Sequence, residues 1–292
     1  MPKNDRVAVL DVGSEKIRAA VAEKDGQHIS VCGTGEAEYS GFYEGAWLDP
    51  SEIKAAVLSA VSRAESASGS GIKKLFVGVP AQFCYAECKE SVLFFEKPRK
   101  ISGDEIALLF KKGEKFPDDD AYANITVAPV YFLLADNKRI IEPRGAVSDK
   151  IKALVSYVRC KKTFIGEIES ILNAAGIEAE FVSSVWAEIM YLFAPEQRDR
   201  YVLFADAGYI ASEVALLRGD GILALNGFSL GGGHITADIA DLFEISFGQA
   251  QRVKAFADIT YRGGGDVIPL DEYPDEGILA DELAMAVAAR VE

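Results

Sequence analysis

Histidine is nearly missing from this 292-residue chain, which has two, and cysteine is scarce, at four. Two histidines argue against a His-based metal centre. Cys32, Cys84, Cys88 and Cys160 show neither a zinc spacing nor a dense disulfide framework. Three of them stand in apolar, strand-like surroundings, which reads as buried free thiols. Positive charge is also short: 31 Lys and Arg against 45 Asp and Glu give a net charge of −14. Phosphate binding on a nucleic-acid scale needs clustered cations, so nucleic acid is excluded as the main partner. The acidic excess reads as a solubility feature. Long apolar runs are missing too. The longest uncharged one, about residues 127–135, contains Pro129 and is far too short to span a bilayer. The N-terminal residues run straight into a strand without a signal-peptide core. The expectation is a cytoplasmic-type soluble chain. What is present suffices for a core: 49% apolar residues, with 16 Phe and 11 Tyr, in a length that suits two domains or one large one.

The chain also contains a repeat. Val7-Ala-Val-Leu-Asp11-Val-Gly13 returns 195 positions later as Val202-Leu-Phe-Ala-Asp206-Ala-Gly208. In each copy an Asp-Gly pair follows 14 residues after the first Asp, at Asp25-Gly26 and Asp220-Gly221. Equal internal spacing marks a duplicated β-hairpin unit. An aspartate at a strand end, followed by a glycine turn, can hold a metal-bound phosphate because carboxylate and short backbone point the same way.

Residues 7–11, 17–23 and 28–33 read as three antiparallel strands joined by glycine-containing turns. A glycine-rich loop leads to Asp49-Pro50-Ser-Glu52, a helix start in which Asp49 caps, Pro50 takes the first position and Glu52 completes a capping box. Ile53, Val57, Ala60, Val61 and Ala64 share the face of that helix. Ser68-Gly-Ser-Gly71 ends it, and residues 75–79 form a buried strand. From about Ala81 the texture changes to a β-α-β-β segment. It has a strand over 83–95, a capping box at Ser102-Gly-Asp-Glu105, a charged patch over 111–120, and strands near 125–135 and 151–159. A helix over 164–175 closes at Gly176, before a strand at 180–185 and a helix at 186–193. The three-strand pattern restarts at Tyr201. After Gly231-Gly-Gly233, helices are expected at 234–243 and 249–256, then a long loop over 258–275 and an Ala-rich packing helix over 279–291. Asp118-Asp-Asp120, and Asp271, Glu272, Asp275 and Glu276, read as solvated charged loops, since a calcium site needs more ligands at defined spacing.

Four segments carry a family resemblance: Asp11-Val-Gly-Ser-Glu-Lys16, Ser40-Gly-Phe-Tyr-Glu-Gly45, Asp206-Ala-Gly208, and Leu230-Gly-Gly-Gly-His-Ile-Thr-Ala-Asp238. Their order, with the inserted β-α-β-β segment between them, resembles the FtsA family of bacterial cell-division proteins within the actin-like ATPases, from about Val7 to the end. The resemblance implies an α/β, actin-like (ribonuclease H-like, duplicated βββαβα) fold with an inserted small α+β subdomain and an incomplete second domain. It divides the chain into 1–80 and 162–200 as the two parts of a first domain, 81–161 as the inserted subdomain, and 201–292 as the N-terminal part of a second domain. The family's adenosine-contacting glycine motif and terminal amphipathic membrane helix find no match here. The chain is therefore expected to be either a fragment or a shortened FtsA-like protein.

By the same resemblance, Asp11 and Asp206 would hold Mg²⁺ with ATP or ADP, and Gly13, Ser14 and Lys16 would meet the phosphates. Gly208, Gly232 and Gly233 would make backbone contacts to phosphate or ribose, and Gln251 and Lys254 would stand against the nucleoside, where relatives often have Glu and Lys. The second turn departs from the family: two further glycines and a threonine are replaced by Tyr209, Ile210 and Ala211, unless Ser212 supplies the hydroxyl. Bulky, β-branched side chains crowd the backbone approach to a γ-phosphate, so weak or absent ATP hydrolysis is expected. Nucleotide would act by closing two domains over a cleft, a population shift rather than turnover. His234 reads as a structural histidine. The implied role is a cytoplasmic adaptor at the inner face of the cell membrane. It would bind the FtsZ tail through about 233–292, self-associate through about 81–161 and recruit division proteins. It would reach the membrane only through a segment outside this sequence. A PilM-like type IV pilus platform and, with less support, an actin-fold small-molecule kinase are the alternatives.

Overall fold

The computed structural model describes residues 5–26, 28–261, 263–271 and 273–291. The chain packs as two compact units, one of Met1–Asp206 with Glu213–Phe228 and one of Ala207–Ser212 with Ser229–Glu292.

The first unit begins with a meander of β1 (Asp5–Val12), β2 (Lys16–Asp25) and β3 (His28–Glu38). A two-residue hairpin, β4 (Phe42–Tyr43) and β5 (Ala46–Trp47), precedes α1 (Pro50–Ser68). Asp49 caps α1 by accepting the Ser51 N–H at 2.9 Å. Glu52 does not close the expected capping box; it accepts the Ser40 N–H at 2.7 Å and ties the preceding loop to the helix. Strand β3 runs five residues past its expected end. Gly33 and Gly35 look like stops in sequence, but they let the strand pass close to α1: a Cβ on Gly35 would lie 2.1 Å from the Ala60 carbonyl oxygen. Gly35→Val is therefore expected to destabilise the fold by about 3 kcal/mol, read as a lowered urea midpoint at unchanged slope.

After α1, β6 (Lys74–Val79) returns parallel to β1. The inserted segment follows: β7 (Cys84–Lys100), α2 (Gly103–Lys112), β8 (Tyr122–Leu134), the short β9 (Arg139–Ile140) and β10 (Val147–Lys161). These strands form a sheet in the order β7-β10-β8-β9 over a core of Ile101, Leu109, Phe132, Ile151 and Tyr157. The expected capping box is present, with the Ser102 N–H donating to Glu105 Oε2 at 2.7 Å. Asp118 and Asp119 are not simply solvated. They ion-pair with the fully buried guanidinium of Arg159, which also lies 4.0 Å from the Phe116 ring centre.

Then come α3 (Lys162–Ala174), β11 (Glu178–Ser183), α4 (Ser184–Leu192) and α5 (Pro195–Arg198). Strand β11 completes a five-stranded sheet, β11-β6-β1-β2-β3. The second copy of the repeat is β12 (Val202–Ala207), β13 (Ser212–Arg218) and β14 (Gly221–Phe228), a sheet in that order. Phe204, Ala215, Leu217 and Ile222 from this sheet bury against Ala81, Val158, Val185 and Ile189. That packing makes the units divide after Asp206 and after Phe228, whereas the repeat alone divides the sequence near Tyr201. All four cysteines are free; Cys160 is buried and the others are partly so.

The second unit holds α6 (Gly232–Phe243), α7 (Phe247–Lys254), β15 (Val267–Leu270), β16 (Tyr273–Leu279) and α8 (Ala280–Val291). Its core is Ile239, Ala250, Val253, Leu270, Ile278, Leu283 and Val287. The long loop expected over 258–275 is broken by β15 and the start of β16. Val267 and Ile268 pair with Leu279 and Ile278, and a two-stranded ribbon tolerates Pro269. Helix α8 packs as expected, burying Leu283 and Val287, while Arg290 Nε donates to Asp238 Oδ2 at 2.5 Å. Glu272 of the expected acidic loop, and Glu292, lie outside the described residues.

Candidate functional site

The sequence-predicted residues fall into two sets, one on each compact unit. On the first unit, Asp11 stands near the end of β1 and is half exposed. The turn after it needs glycine, because a Cβ on Gly13 would lie 2.9 Å from the Lys16 carbonyl oxygen. The Tyr39 hydroxyl donates to the Gly13 carbonyl at 2.8 Å and fixes the turn, and Ser14 is buried within it. Lys16 Nζ lies 3.5 Å from Glu36 Oε1. The cation nearest Asp11 is one the sequence reading missed: Arg18 Nη1, at 3.8 Å from Asp11 Oδ2.

Asp206 is brought into electrostatic range of Asp11, and two unforeseen acids join them. Burial raises the Asp11 pKa, Arg18 lowers it, and the charge of Asp206 raises it again. Burial pushes Glu188, on α4, up to about 7, with the charges of Asp206 and Asp11 adding to the rise. Glu213, on β13, also reaches about 7. Burial is the main cause; the Ala81 N–H it accepts at 2.6 Å opposes the rise, and Glu188, Asp206 and Asp11 add to it. Burial also raises the Tyr39 phenol, with Asp11 contributing.

These carboxylates repel one another in a half-buried place, which is the setting in which a divalent cation lowers the energy most. Among the described residues, no three His, Cys, Asp or Glu side chains converge closely enough to hold a metal together. Mg²⁺ keeps several of its waters and takes one or two carboxylates plus phosphate oxygens, so it is the kind of ion that two carboxylates could take. Asp11 and Asp206 would hold such an ion, and it would supply charge neutralisation for a di- or triphosphate.

On the second unit the turn after β12 is closed by the Gly208 N–H, which donates to the Ala211 carbonyl at 3.0 Å. The start of α6 packs directly on that turn. The Gly232 N–H donates to the Gly208 carbonyl at 2.8 Å and the Gly233 N–H to the Tyr209 carbonyl at 2.7 Å. The Gly231 N–H donates to His234 Nδ1 at 3.2 Å, which gives His234 a structural bond. A Cβ on Gly231 would stand 2.4 Å from the Gly208 carbonyl oxygen. Close backbone approach is thus one reason for Gly231 and for Gly233, where a Cβ would lie 3.1 Å from the Tyr209 carbonyl oxygen. The Ser212 hydroxyl donates to the Leu230 carbonyl, holding the loop before α6.

Lys254 meets the glycine loop, and Gln251 is bonded to Lys254 and Thr236 beside it. Lys254 Nζ donates to the Gly232 carbonyl and to Thr236 Oγ1, both at 2.8 Å, and to Gln251 Oε1 at 3.1 Å. The Thr236 hydroxyl donates to Gln251 Oε1 at 2.6 Å. The Tyr209 ring centre lies 5.9 Å from the same ammonium. Thr236, fully buried at the centre of this network, was not singled out from sequence.

A duplicated three-strand unit, each copy ending its first strand in Asp-x-Gly, and a small α+β insertion together define an actin-like ATPase fold. Solved structures agree. A chain of the PilM–PilN type IV pilus biogenesis complex superposes with a TM-score of 0.55 at 16% identity, over 87% of this chain and 70% of that one. MreB5 of Spiroplasma citri bound to ADP gives 0.54 at 9% identity, over 100% and 76%. Within that class the chain is similar to the cell division protein FtsA. It is 23% identical over 250 residues to the cell division protein FtsA of Streptococcus pneumoniae, across 84% of this chain and 54% of that protein. It is 22% identical over 294 residues to FtsA of Enterococcus faecalis, across 100% and 65%. The chain thus spans between half and two thirds of the length of these relatives. No protein-family profile matches it. Among the described residues, no helix is long and apolar enough to cross a membrane.

Proposed function

We propose that the chain works as an actin-fold cell-division adaptor with a degenerate nucleotide site. In this reading it binds the C-terminal tail of FtsZ through about residues 233–292 and self-associates through the inserted subdomain, residues 81–161. It recruits division proteins at the inner face of the cell membrane. The observation that supports this most is the likeness to FtsA over 84–100% of the chain. The test is a titration of a labelled FtsZ tail peptide into the chain. Saturable binding is expected, and a flat titration would count against the adaptor role.

In the same reading, ATP or ADP binds with Mg²⁺ at Asp11 and Asp206, with Gly13, Ser14 and Lys16 beside the phosphates. The turn after Asp206 departs from the pattern of the first copy. Tyr209 and Ile210 add bulk after Gly208, and the Gly232 and Gly233 amides are already bonded within the protein. Tyr209→Gly combined with Ile210→Gly is expected to tighten Mg-ATP binding about tenfold, or about 1.4 kcal/mol, measured with a fluorescent ATP analogue. Asp11→Asn is expected to weaken it.

The second reading, a PilM-like pilus platform, is favoured by the 0.55 TM-score to the pilus-complex chain. Binding of a pilus-assembly peptide in place of the FtsZ tail would select it.

A further inference from the structure

The neck of the inserted segment carries a pair of cysteines. Strand β7 starts at Cys84, and β10 returns to α3 through Cys160 and Lys161. Register sets Cys160 directly opposite Cys84, as the last pair of the β7–β10 ladder. Opposed residues of an antiparallel pair point to the same face, with Cα atoms about 4.5–5.5 Å apart, inside the range that a disulfide spans. The two thiols are close enough to share a hydrogen bond. Neither of the other thiols is placed in this way. Cys88 lies four residues along β7, opposite Ser156 and about 13 Å from Cys84, where a disulfide needs Cα atoms within about 7 Å. Cys32 belongs to β3 of the five-stranded sheet, and its Sγ donates to the Val21 carbonyl at 3.2 Å.

We propose that Cys84 and Cys160 form a reversible disulfide, made by a peroxide and broken by a dithiol, that staples the neck of the insertion. Cys84 is the partly exposed member, so a small oxidant meets it first; Cys160 is fully buried. The Cys84 thiolate attacks the peroxide, gaining an S–O bond as the O–O bond breaks and hydroxide leaves. The Cys160 thiol then attacks that sulfenic sulfur; the S–S bond forms, the S–O bond breaks and water departs. The proton shed by Cys84 and the hydroxide make the second water. A dithiol reverses the change by exchange and is itself oxidised. Burial raises the Cys84 thiol well above its ordinary value; Cys160 and the charge of Glu213 add to the rise, and Lys161 opposes it. Thiolate is therefore scarce at neutral pH, so the bond answers sustained oxidant and not a brief pulse. Closing residues 84–160 into one covalent loop restrains the unfolded chain, and long loops gain most from such a restraint.

The test treats the whole chain with hydrogen peroxide, blocks the remaining thiols with an alkylating agent in urea, and maps the peptides without reduction. The expected product is a linked Cys84–Cys160 peptide pair, about 2 Da lighter than the two free peptides and lost on adding dithiothreitol. The urea midpoint is expected to rise on oxidation, and the rise to be absent in peroxide-treated Cys160→Ala. Cys84→Ser, at the less buried position, serves should Cys160→Ala not fold. Cys88→Ser should keep both the link and the rise. Three results would each overturn the proposal: Cys84 and Cys160 recovered unlinked, a link that runs to Cys32, Cys88 or a second chain instead, or a Cys84–Cys160 link that leaves the urea midpoint unmoved.

Discussion

Between pH 5 and 7.5 the folded chain is expected to lose stability, and millimolar Mg²⁺ is expected to restore part of it. Glu188 and Glu213 are raised to about 7, so the folded protein keeps protons that the unfolded chain releases near the ordinary glutamate value of 4.5. A carboxyl raised on folding contributes fully below its unfolded pKa. That contribution declines as pH climbs through the folded value. Glu213 is buried, and a rise from 4.5 to about 7 corresponds to about 3 kcal/mol at most. Urea midpoints at the two pH values measure it. Glu213→Gln keeps an acceptor for the Ala81 N–H while removing the charge, and should flatten the slope. An ion bound by the folded form alone adds stability in proportion to its occupancy. A slope unchanged in Glu213→Gln would place its origin elsewhere, Glu188 accounting only for part of it.

Arg159→Ala is expected to have the largest effect outside this cluster, about 3–5 kcal/mol. The guanidinium is fully buried, pairs with Asp118 and Asp119, and donates to the Tyr85 hydroxyl at 3.0 Å. Truncation leaves a cavity beside Phe116 and unfastens the loop holding both aspartates. Arg159→Met, which fills the volume without a charge, should recover part of the loss, because a buried ion pair is often replaceable by packed apolar groups. Urea unfolding of the three proteins gives the comparison. Limited proteolysis after residue 118 reports the loop directly.

The repeat made the fold readable. Asp11 and Asp206 stood out because their spacing to the next Asp-Gly was equal, and the structure brings their charges into range. Glu213 was also within reach of the sequence, since the 195-residue offset sets it where the first copy has Arg18. A cation beside one aspartate becomes an acid beside the other. Glu188 gave no such signal, because its place depends on how α4 packs. Gly231 to Gly233 suggested ligand contacts, but a single sequence cannot distinguish a glycine that admits a ligand from one that admits a neighbouring carbonyl. Gly33 and Gly35 read as a strand end where they permit close packing on α1. The hairpin of β15 and β16 was hidden by Gly, Asp and Pro, whose turn signals outweighed two short apolar stretches.

The central claim is that an inherited actin-type nucleotide site now serves a scaffold. Phosphate release from Mg-ATP, followed while the FtsZ tail peptide is titrated to saturation, tests it most directly. The expected result is saturable peptide binding with phosphate release indistinguishable from the buffer rate at every peptide concentration. Sustained turnover, or turnover without peptide binding, would contradict it.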